Sequence, residues 1–473
     1  MISLQEPRPA SGKGDVASGN VDVPSILQDG APYDTDLDRF LLDLPVNGAR
    51  SRNSVRAYAY DIMTWVRFLD EVRGISIWQA CRADVIAYHK ACRRGGAAAR
   101  VSAQTWNRAV AALDKLYSWA TQEGLAASSP FSYRQVLRRT ARGGPALIVG
   151  RNTSYERAAE RADVCPIALE DYVRFRDIGL RGLASDGRCR PGARDRNGTR
   201  NALFADLLVT TGLRLEEASS LLALEIEAAL AGVGNGERQV PFRLAACLTK
   251  GDKGRTIRMP RRLLGEFRTY LAVERACAAE KFMAREGWKS APAPILCRPG
   301  RKARRIELRL DGPRWASVSL DEITPDERRR LVLCDAGGAP LAPAALWLTE
   351  VGQAVAPNTW EVAFARASRR CHAAGIPIDV TPHQLRHTFS VEMLALLVRD
   401  RRDKAGAGTG DVSGDAYRMM LDEALQELRR MLGHASLATT YRYLNRLPRH
   451  GATADAAVEE LLHALASWPG EPS

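Results

Sequence analysis

The stretch TPHQLRHTFS, residues 381–390, places His383, Arg386 and His387 within five positions of a chain that has only seven histidines. On a helix, residues four positions apart share one face, so the two imidazoles would lie side by side with the guanidinium close to them. Such a group can bind zinc, form a solvated basic face, or hold an anion. The spacing alone leaves these three interpretations open.

The surrounding sequence argues against the metal site. Neither histidine is accompanied by the glutamate of an HExxH motif, and no third ligand is evident in the sequence. The nine cysteines are scattered singly without a CxxC pair, which indicates neither a zinc ribbon nor a disulfide framework. We therefore expect no metal ion and no cofactor.

The charge of the chain favours an anionic partner. The formal net charge is +13, and residues 49–140 hold fifteen Arg and Lys against six Asp and Glu, a net +9. Nucleic acid is the first candidate for such a segment, and a solvated arginine-rich surface is the alternative. No apolar run of about 18 residues and no signal-peptide pattern is present, so we expect a cytoplasmic protein without membrane contact.

The chain divides by pattern into five segments. The predicted divisions are a disordered tail over 1–35, a helical domain over 36–140, a linker over 141–165, a second domain over 166–450, and a C-terminal helix over 451–473. In the second domain, RLAACLTKGDKGRTIRMP predicts two short strands around a basic turn. Short β-like pieces between 287 and 345 predict an added β subdomain.

Three further motifs carry residues suited to phosphodiester chemistry. Cleavage without metal requires fixed cations for the phosphate oxygens, a proton donor for the leaving oxygen, and a nucleophile. TTGLRLEEASSL contains Arg214 and Glu217, and LTKGDKGRTIRMP contains Lys250 and Lys253. The candidates in LGHASLATTYRY are His434, Tyr441 and Tyr443.

Taken in order, these motifs resemble those of the tyrosine recombinases, or phage-integrase family, over most of residues 36–450. The resemblance implies an all-α N-terminal core-binding (SAM-like) domain that binds DNA. It also implies a mixed α+β, mainly helical catalytic domain with a small β-hairpin sheet. Two segments, 287–345 and 398–423, are extra relative to the family pattern, and we expect both to be surface insertions.

The resemblance also implies roles for individual residues. Tyr443 lies nine residues after His434, which is the family's spacing for the nucleophile, and Tyr441 is then a flanking residue. Glu217, His387 and Lys253 would be supporting residues. The implied catalytic residues are Arg214, Lys250, His383, Arg386, His434 and Tyr443.

The implied activity is site-specific cutting and rejoining of double-stranded DNA through a 3′-phosphotyrosyl bond, for integration, excision or transposition of a mobile element. The family works as a homotetramer on DNA, with room for an accessory directionality factor or a host DNA-bending factor, and the protein would be nucleoid-associated when bound. The C-terminal helix is a candidate for exchange between protomers. Alternatives are a catalytically weak DNA-binding relative and relaxation of DNA in the manner of a type IB topoisomerase.

Overall fold

The computed structural model divides the chain into two compact units, Met1–Asp163 and Val164–Ser473. In the described part of the chain, no helix combines the length and the apolar character needed to cross a membrane. The described residues are 2–5, 23–46, 48–49, 52–96, 100–138, 147–156, 166–184, 186–188, 197–234, 238–290, 293–302, 304–310, 314–404, 414–434, 438–441 and 443.

The first unit is built around amphipathic helices, as the sequence predicts. In α4, Trp106, Val110, Leu113 and Tyr117 recur every three or four residues and are all buried. The Ser102 hydroxyl caps this helix by accepting a hydrogen bond from Thr105 N at 3.0 Å. The helices are α1 (Thr35–Asp43), α2 (Arg52–Phe68), α3 (Arg82–Arg94) and α4 (Ala103–Gln122).

The prediction of a disordered tail over 1–35 is wrong for its two ends. The strands β1 (Ile2–Gln5), β2 (Ser25–Gln28) and β3 (Ala31–Pro32) form an antiparallel sheet, and residues 6–22 lie outside the described residues. Ile2 and Ile26 are buried in the core of the helices. The first unit is therefore not all-α. The apolar side chains of its N-terminal strands pack against the helices.

The predicted linker over 141–165 also belongs partly to the first unit. The strand β4 (Tyr133–Arg138) pairs antiparallel with β5 (Leu147–Asn152). Beyond β5, the carbonyl oxygen of Ser154 accepts a hydrogen bond from Trp106 Nε1 at 2.8 Å, which fastens the hairpin to α4. Residues 139–146 and 157–165 lie outside the described residues.

The second unit is mainly helical and packs around α6, a helix that is buried along almost its whole length. This helix contacts α9 and α14 and contributes Phe204, Leu207 and Leu208 to the main core. The helices are α5 (Leu169–Arg174), α6 (Gly198–Thr211), α7 (Leu215–Ser219), α8 (Ala223–Ala231), α9 (Arg261–Tyr270), α10 (Ala276–Ala284), α11 (Gly287–Ser290), α12 (Pro325–Arg330), α13 (Pro357–Ala373), α14 (Pro382–Lys404), α15 (Gly414–Leu432) and α16 (Ala438–Tyr441).

Two sheets accompany these helices. The predicted hairpin is present as β6 (Gln239–Leu244) and β7 (Arg255–Pro260), which pair antiparallel with Leu244 opposite Arg255. The segment 287–345, predicted as an added β subdomain, forms a five-stranded sheet in the order β10-β9-β8-β11-β12, which confirms its β character. Its strands are β8 (Ile295–Pro299), β9 (Arg305–Arg309), β10 (Trp315–Ser319), β11 (Leu331–Cys334) and β12 (Pro340–Pro343).

The segment 398–423, predicted as a surface insertion, lengthens two helices that pack against each other. α14 continues to Lys404, and α15 begins at Gly414, with 405–413 outside the described residues. Arg401 on α14 forms an ion pair with Glu427 on α15. The predicted C-terminal helix over 451–473 lies outside the described residues.

The turn after α6 depends on Gly212. Its φ angle is +64°, in the left-handed region that glycine adopts without strain. A Cβ atom at this position would lie 2.7 Å from Phe389 Cε1 on α14 and still closer to Cδ1. The turn can therefore approach α14 only because residue 212 has no side chain.

We predict that Gly212→Ala destabilises the protein strongly. Left-handed backbone costs about 1–2 kcal/mol in a residue with a Cβ atom, and overpacking against Phe389 adds about 1–3 kcal/mol. Gly265→Ala is the control, because it lies inside α9 with no atom within 4 Å of the added Cβ. Urea denaturation should show a large loss for the first variant and no loss for the second. Equal stabilities would refute this account of the turn.

Candidate active site

The TPHQLRHTFS stretch forms the start of α14. Thr381 caps the helix, since its hydroxyl accepts a hydrogen bond from Gln384 N at 3.2 Å, and Pro382 occupies the first turn, where its missing N–H is tolerated. Arg386 and His387 are buried, whereas His383 is exposed. The helix start therefore presents one imidazole outward and places the other two groups inside the second unit.

Glu217, in the first turn of α7, is the buried acceptor at the centre of the site. Its carboxylate caps its own helix by accepting from Arg214 N at 2.8 Å, and it also accepts from Arg214 Nη1 at 2.8 Å. Arg386 Nη1 lies 4.0 Å from the same carboxylate. Glu217 thus holds together the two arginines that the motifs single out.

Arg255, at the start of β7, completes this cluster and was missed from the sequence. Its Nη1 and Nη2 donate to the two oxygens of Glu217 at 2.8 and 2.6 Å, and its Nε donates to Met431 O at 3.0 Å. A signal for it exists: Arg255, Ile257 and Met259 alternate on the buried face of β7. A charge on that face must be paired, so the alternation indicates a buried ion pair.

The electrostatics of the cluster favour a bound anion. Burial raises the pKa of Glu217, but the hydrogen bonds and charge of Arg255, followed by the charges of Arg214 and Arg386, outweigh burial and lower that pKa to about 2. Glu217 is therefore ionised at neutral pH. Three guanidinium groups surround one carboxylate, which leaves an excess of two positive charges in a largely buried region.

The positive charge of Arg386 is disfavoured by burial and by a neighbouring arginine. Its guanidinium donates to the carbonyl oxygens of Gly212 and of Leu432, the latter at 2.8 Å. Burial, and then the nearby Arg214, lower its pKa to about 9, although Glu217 opposes the shift. The side chain remains a cation at neutral pH, and a nearby anion would relieve its repulsion from Arg214.

His434 follows the end of α15 and faces Arg386. Arg386 Nη2 lies 3.2 Å from His434 Nε2, and His434 Nδ1 lies 3.1 Å from Thr440 Oγ1. Because a guanidinium can only donate, Nε2 must accept, so Nδ1 carries the proton and donates to Thr440. Gly433 precedes His434 and ends α15 with a φ angle of +63°. The carbonyl oxygen of Gly433 lies 3.5 Å from Arg214 Nη2.

The two tyrosines of LGHASLATTYRY have different surroundings. Tyr443 is 5% exposed, and its ring centroid lies 5.5 Å from that of His387 and 6.3 Å from that of His434. Tyr441 is 41% exposed, and its hydroxyl donates to Asp422 Oδ1 at 3.1 Å. Only Tyr443 of this pair faces the histidines.

The two histidines of α14 form a short chain that ends at Tyr443. His383 Nε2 lies 3.0 Å from His387 Nε2, which requires one ring to donate and the other to accept. His387, predicted as supporting, contacts the Tyr443 ring, and His383, predicted as catalytic, contacts His387. The pair connects the buried tyrosine with the exposed edge of the helix.

Lys250 and Lys253 lie on the turn between β6 and β7. Lys250 is exposed, and Lys253 N donates to Thr249 Oγ1 at 2.9 Å, which closes the turn. Arg255 fastens the base of this hairpin to Glu217. The structure thus joins Arg214, Arg386, His383, His434 and Tyr443 by direct or relayed contacts, and it carries Lys250 on an arm attached to the same carboxylate.

The described residues hold no group of three or more His, Cys, Asp or Glu side chains arranged to bind a metal ion. The side chains gathered at the site are guanidinium groups, imidazoles, a lysine and a phenol. Guanidinium groups bind phosphate oxygens, imidazole and lysine transfer protons, and a phenol can act as a nucleophile.

The chain is similar to several known proteins. Residues 37–124 match the model of the phage integrase N-terminal SAM-like domain. The chain is 22% identical over 442 residues to the tyrosine recombinase XerC of Bifidobacterium longum subsp. infantis, covering 87% of this chain and 93% of that protein. It is 35% identical over 114 residues to XerC of Ralstonia pickettii, covering 24% of this chain and 26% of that protein.

Among solved structures, a post-cleavage complex of the XerH site-specific recombinase with palindromic difH substrate covers 93% of this chain and 91% of its own, with a TM-score of 0.43 and 14% identity. The sequence matches show similarity to tyrosine recombinases, in agreement with the resemblance that the motifs indicate.

We predict that Glu217→Gln destabilises the protein at neutral pH by about 3–5 kcal/mol, because it leaves buried guanidinium charge unpaired. The native Glu217 has a pKa below its unfolded value, so its stabilisation is complete above about pH 4.5 and is lost as the pH falls toward about 2. The variant should lack this part of the acid dependence, measured by urea denaturation at several pH values.

Glu216→Gln is the matched control. This neighbouring side chain is partly exposed and pairs with Arg329 at 3.3 Å, so its loss should change stability by about 1 kcal/mol or less. If both variants lose equally little, Glu217 does not organise the site.

Proposed function

We propose that this protein is a site-specific DNA recombinase that cuts and rejoins DNA strands through a 3′-phosphotyrosyl intermediate. The observation that carries the proposal is the position of Tyr443, held between His387 and His434 beside the arginine cluster of Glu217. This arrangement supports roles for Tyr443 as the nucleophile, for the histidines as proton acceptors and for the arginines as anion-binding groups. Similarity to the tyrosine recombinase XerC also favours this reaction.

The arginine cluster would hold the scissile phosphate. The side chain of Arg214 is 29% exposed and so can reach a phosphate at the surface, while Arg386 supplies positive charge from a buried position. The excess positive charge would stabilise the additional negative charge that develops as the phosphorus is attacked, and the loss of one such donor typically costs about 10²–10³ in rate. His434 would donate a further hydrogen bond to this phosphate once its Nε2 is protonated and released from Arg386 Nη2.

The covalent step exchanges one phosphate ester for another. The Tyr443 oxygen attacks phosphorus, the bond from phosphorus to the tyrosine oxygen forms, and the bond to the 5′-oxygen breaks. The phenolic proton passes to His387 and onward to His383, while Lys250 protonates the departing 5′-oxygen. The phosphotyrosyl bond conserves the energy of the broken bond, so rejoining needs neither ATP nor metal.

Recombination requires a second duplex and further protomers. A free 5′-hydroxyl attacks the phosphotyrosyl bond of a partner strand, so we propose a homotetramer on two duplexes and a role in integration, excision or transposition of a mobile element. An accessory directionality factor or DNA-bending factor is compatible with this role. Exchange of the C-terminal helix between protomers is part of the proposal, although residues 451–473 lie outside the described residues.

Tyr443→Phe should abolish covalent attachment to DNA and leave binding intact, because only the nucleophilic oxygen is removed. The assay uses suicide duplexes drawn from the flanks of the protein's own gene, with chelator present, and follows a denaturation-resistant adduct on a gel. Tyr441→Phe is the control and should still form the adduct. An adduct in the Tyr443→Phe protein would contradict the assignment, and relaxation of plasmids that lack a target would favour topoisomerase activity instead.

Lys250→Ala should slow cleavage by about 10²–10⁴, the usual contribution of a general acid. A substrate with sulfur in place of the bridging 5′-oxygen should restore the rate, because a thiolate leaves without protonation. Lys281→Ala, at an exposed position on α10, should change either rate little. A defect that persists with the sulfur substrate would show that Lys250 supports structure rather than protonating the leaving group.

A further inference from the structure

The five-stranded sheet, which is extra relative to the family pattern, carries a concentration of positive charge. Residues 295–319, from β8 to β10, contain seven Arg and Lys against two Asp and Glu. These 25 residues therefore carry a net charge of +5, whereas all 473 residues together carry +13. Whether this concentrated charge forms a binding surface depends on where the side chains lie.

The two faces of the sheet differ in chemistry. One face packs into a core with Cys297, Ile306 and Leu331. On the opposite face, the register sets Arg309 beside Trp315 and Glu307 beside Ser317. The carboxylate of Glu307 forms an ion pair with Arg298 Nε at 2.7 Å, so the charge that remains on this face is positive.

The turns at the two ends of β9 add further cations. Arg301 and Lys302 lie on the turn between β8 and β9, and Arg314 precedes β10; all three are exposed. We call Arg301, Lys302, Arg309 and Arg314, with the polar face between them, the basic sheet face. It presents arginine, lysine and serine side chains, which are the groups that contact DNA phosphates, rather than the apolar centre typical of a protein interface.

The sheet is fastened to the strand that leads to Lys250. Arg304 Nη1 donates to Arg243 O on β6 at 2.9 Å, and its Nη2 donates to Asp321 Oδ1 at 3.2 Å. Asp321 in turn accepts from Ala246 N at 2.8 Å through its side chain and from Cys247 N at 3.2 Å through its carbonyl. Lys250 is only three residues beyond Cys247, so the sheet and the lysine turn form one connected body.

We propose that the basic sheet face binds the phosphate backbone of the duplex that Lys250 acts upon, outside the cleaved phosphate itself. The location on that duplex rests on the proposed function, because Lys250 must reach the leaving oxygen of the same DNA. The contacts are sequence-independent and lengthen the DNA footprint on the side of the β6–β7 hairpin. The extra sheet is thus a DNA-binding element rather than a passive elaboration.

The test measures how DNA affinity depends on salt. Each phosphate contact to duplex DNA contributes about 0.9 to the slope of log affinity against log salt concentration. The triple variant Arg301→Gln, Lys302→Gln, Arg314→Gln should therefore lower that slope by up to about 2.7 on a long duplex of arbitrary sequence. The effect should disappear on duplexes trimmed to the cleavage core.

The matched control removes the same charge from exposed positions on α9 and α10 and just after α10, as Arg268→Gln, Lys281→Gln, Arg285→Gln. It should leave the slope nearly unchanged. The proposal is overturned if the wild type and the sheet variant have equal slopes, or if the control loses as much slope as the sheet variant. Equal slopes in the wild type and the sheet variant would leave an acidic protein as the partner for this face.

The same proteins separate this inference from the proposed function. If wild-type protein forms the Tyr443 adduct but the sheet variant keeps the wild-type slope, the recombinase proposal stands and the sheet proposal falls. If no adduct forms while the sheet variant loses slope, DNA binding by the sheet stands without the cleavage chemistry.

Discussion

The buried carboxylate of Glu217 is the constraint on which the rest of the site depends. An ionised group without access to water is tolerated only when hydrogen bonds and opposite charges surround it. Here those partners come from α7 itself, from β7 through Arg255, and from α14 through Arg386. Elements separated by up to 170 residues in sequence must therefore assemble around one pair of oxygen atoms before the site exists.

This arrangement leaves the cluster with more positive than negative charge. One carboxylate cannot neutralise three guanidinium groups, and burial, followed by repulsion from Arg214, lowers the pKa of Arg386. An anion bound beside the cluster would stabilise this excess positive charge. Under the proposed function, that anion is the phosphate at which negative charge develops during cleavage.

The sequence identified the residues whose motifs are local and left out those defined by pairing at a distance. Arg386 and His387 are recognisable because α14 brings them together within one turn. Arg255 is a single arginine in a short strand, and its partner lies 38 residues away. The strands of residues 2–5 and 25–28 were likewise missed, because neither is stable alone and each depends on the other and on the helices beneath.

The length of α14 has a mechanical consequence. The helix begins beside His383 and His387 and continues without interruption to Lys404, a span of about 34 Å at the usual rise per residue. It packs against α15, whose last turn leads directly to Gly433 and His434. His387 on α14 and His434 after α15 both lie near the Tyr443 ring, so a displacement of the paired helices would move both imidazoles relative to that tyrosine.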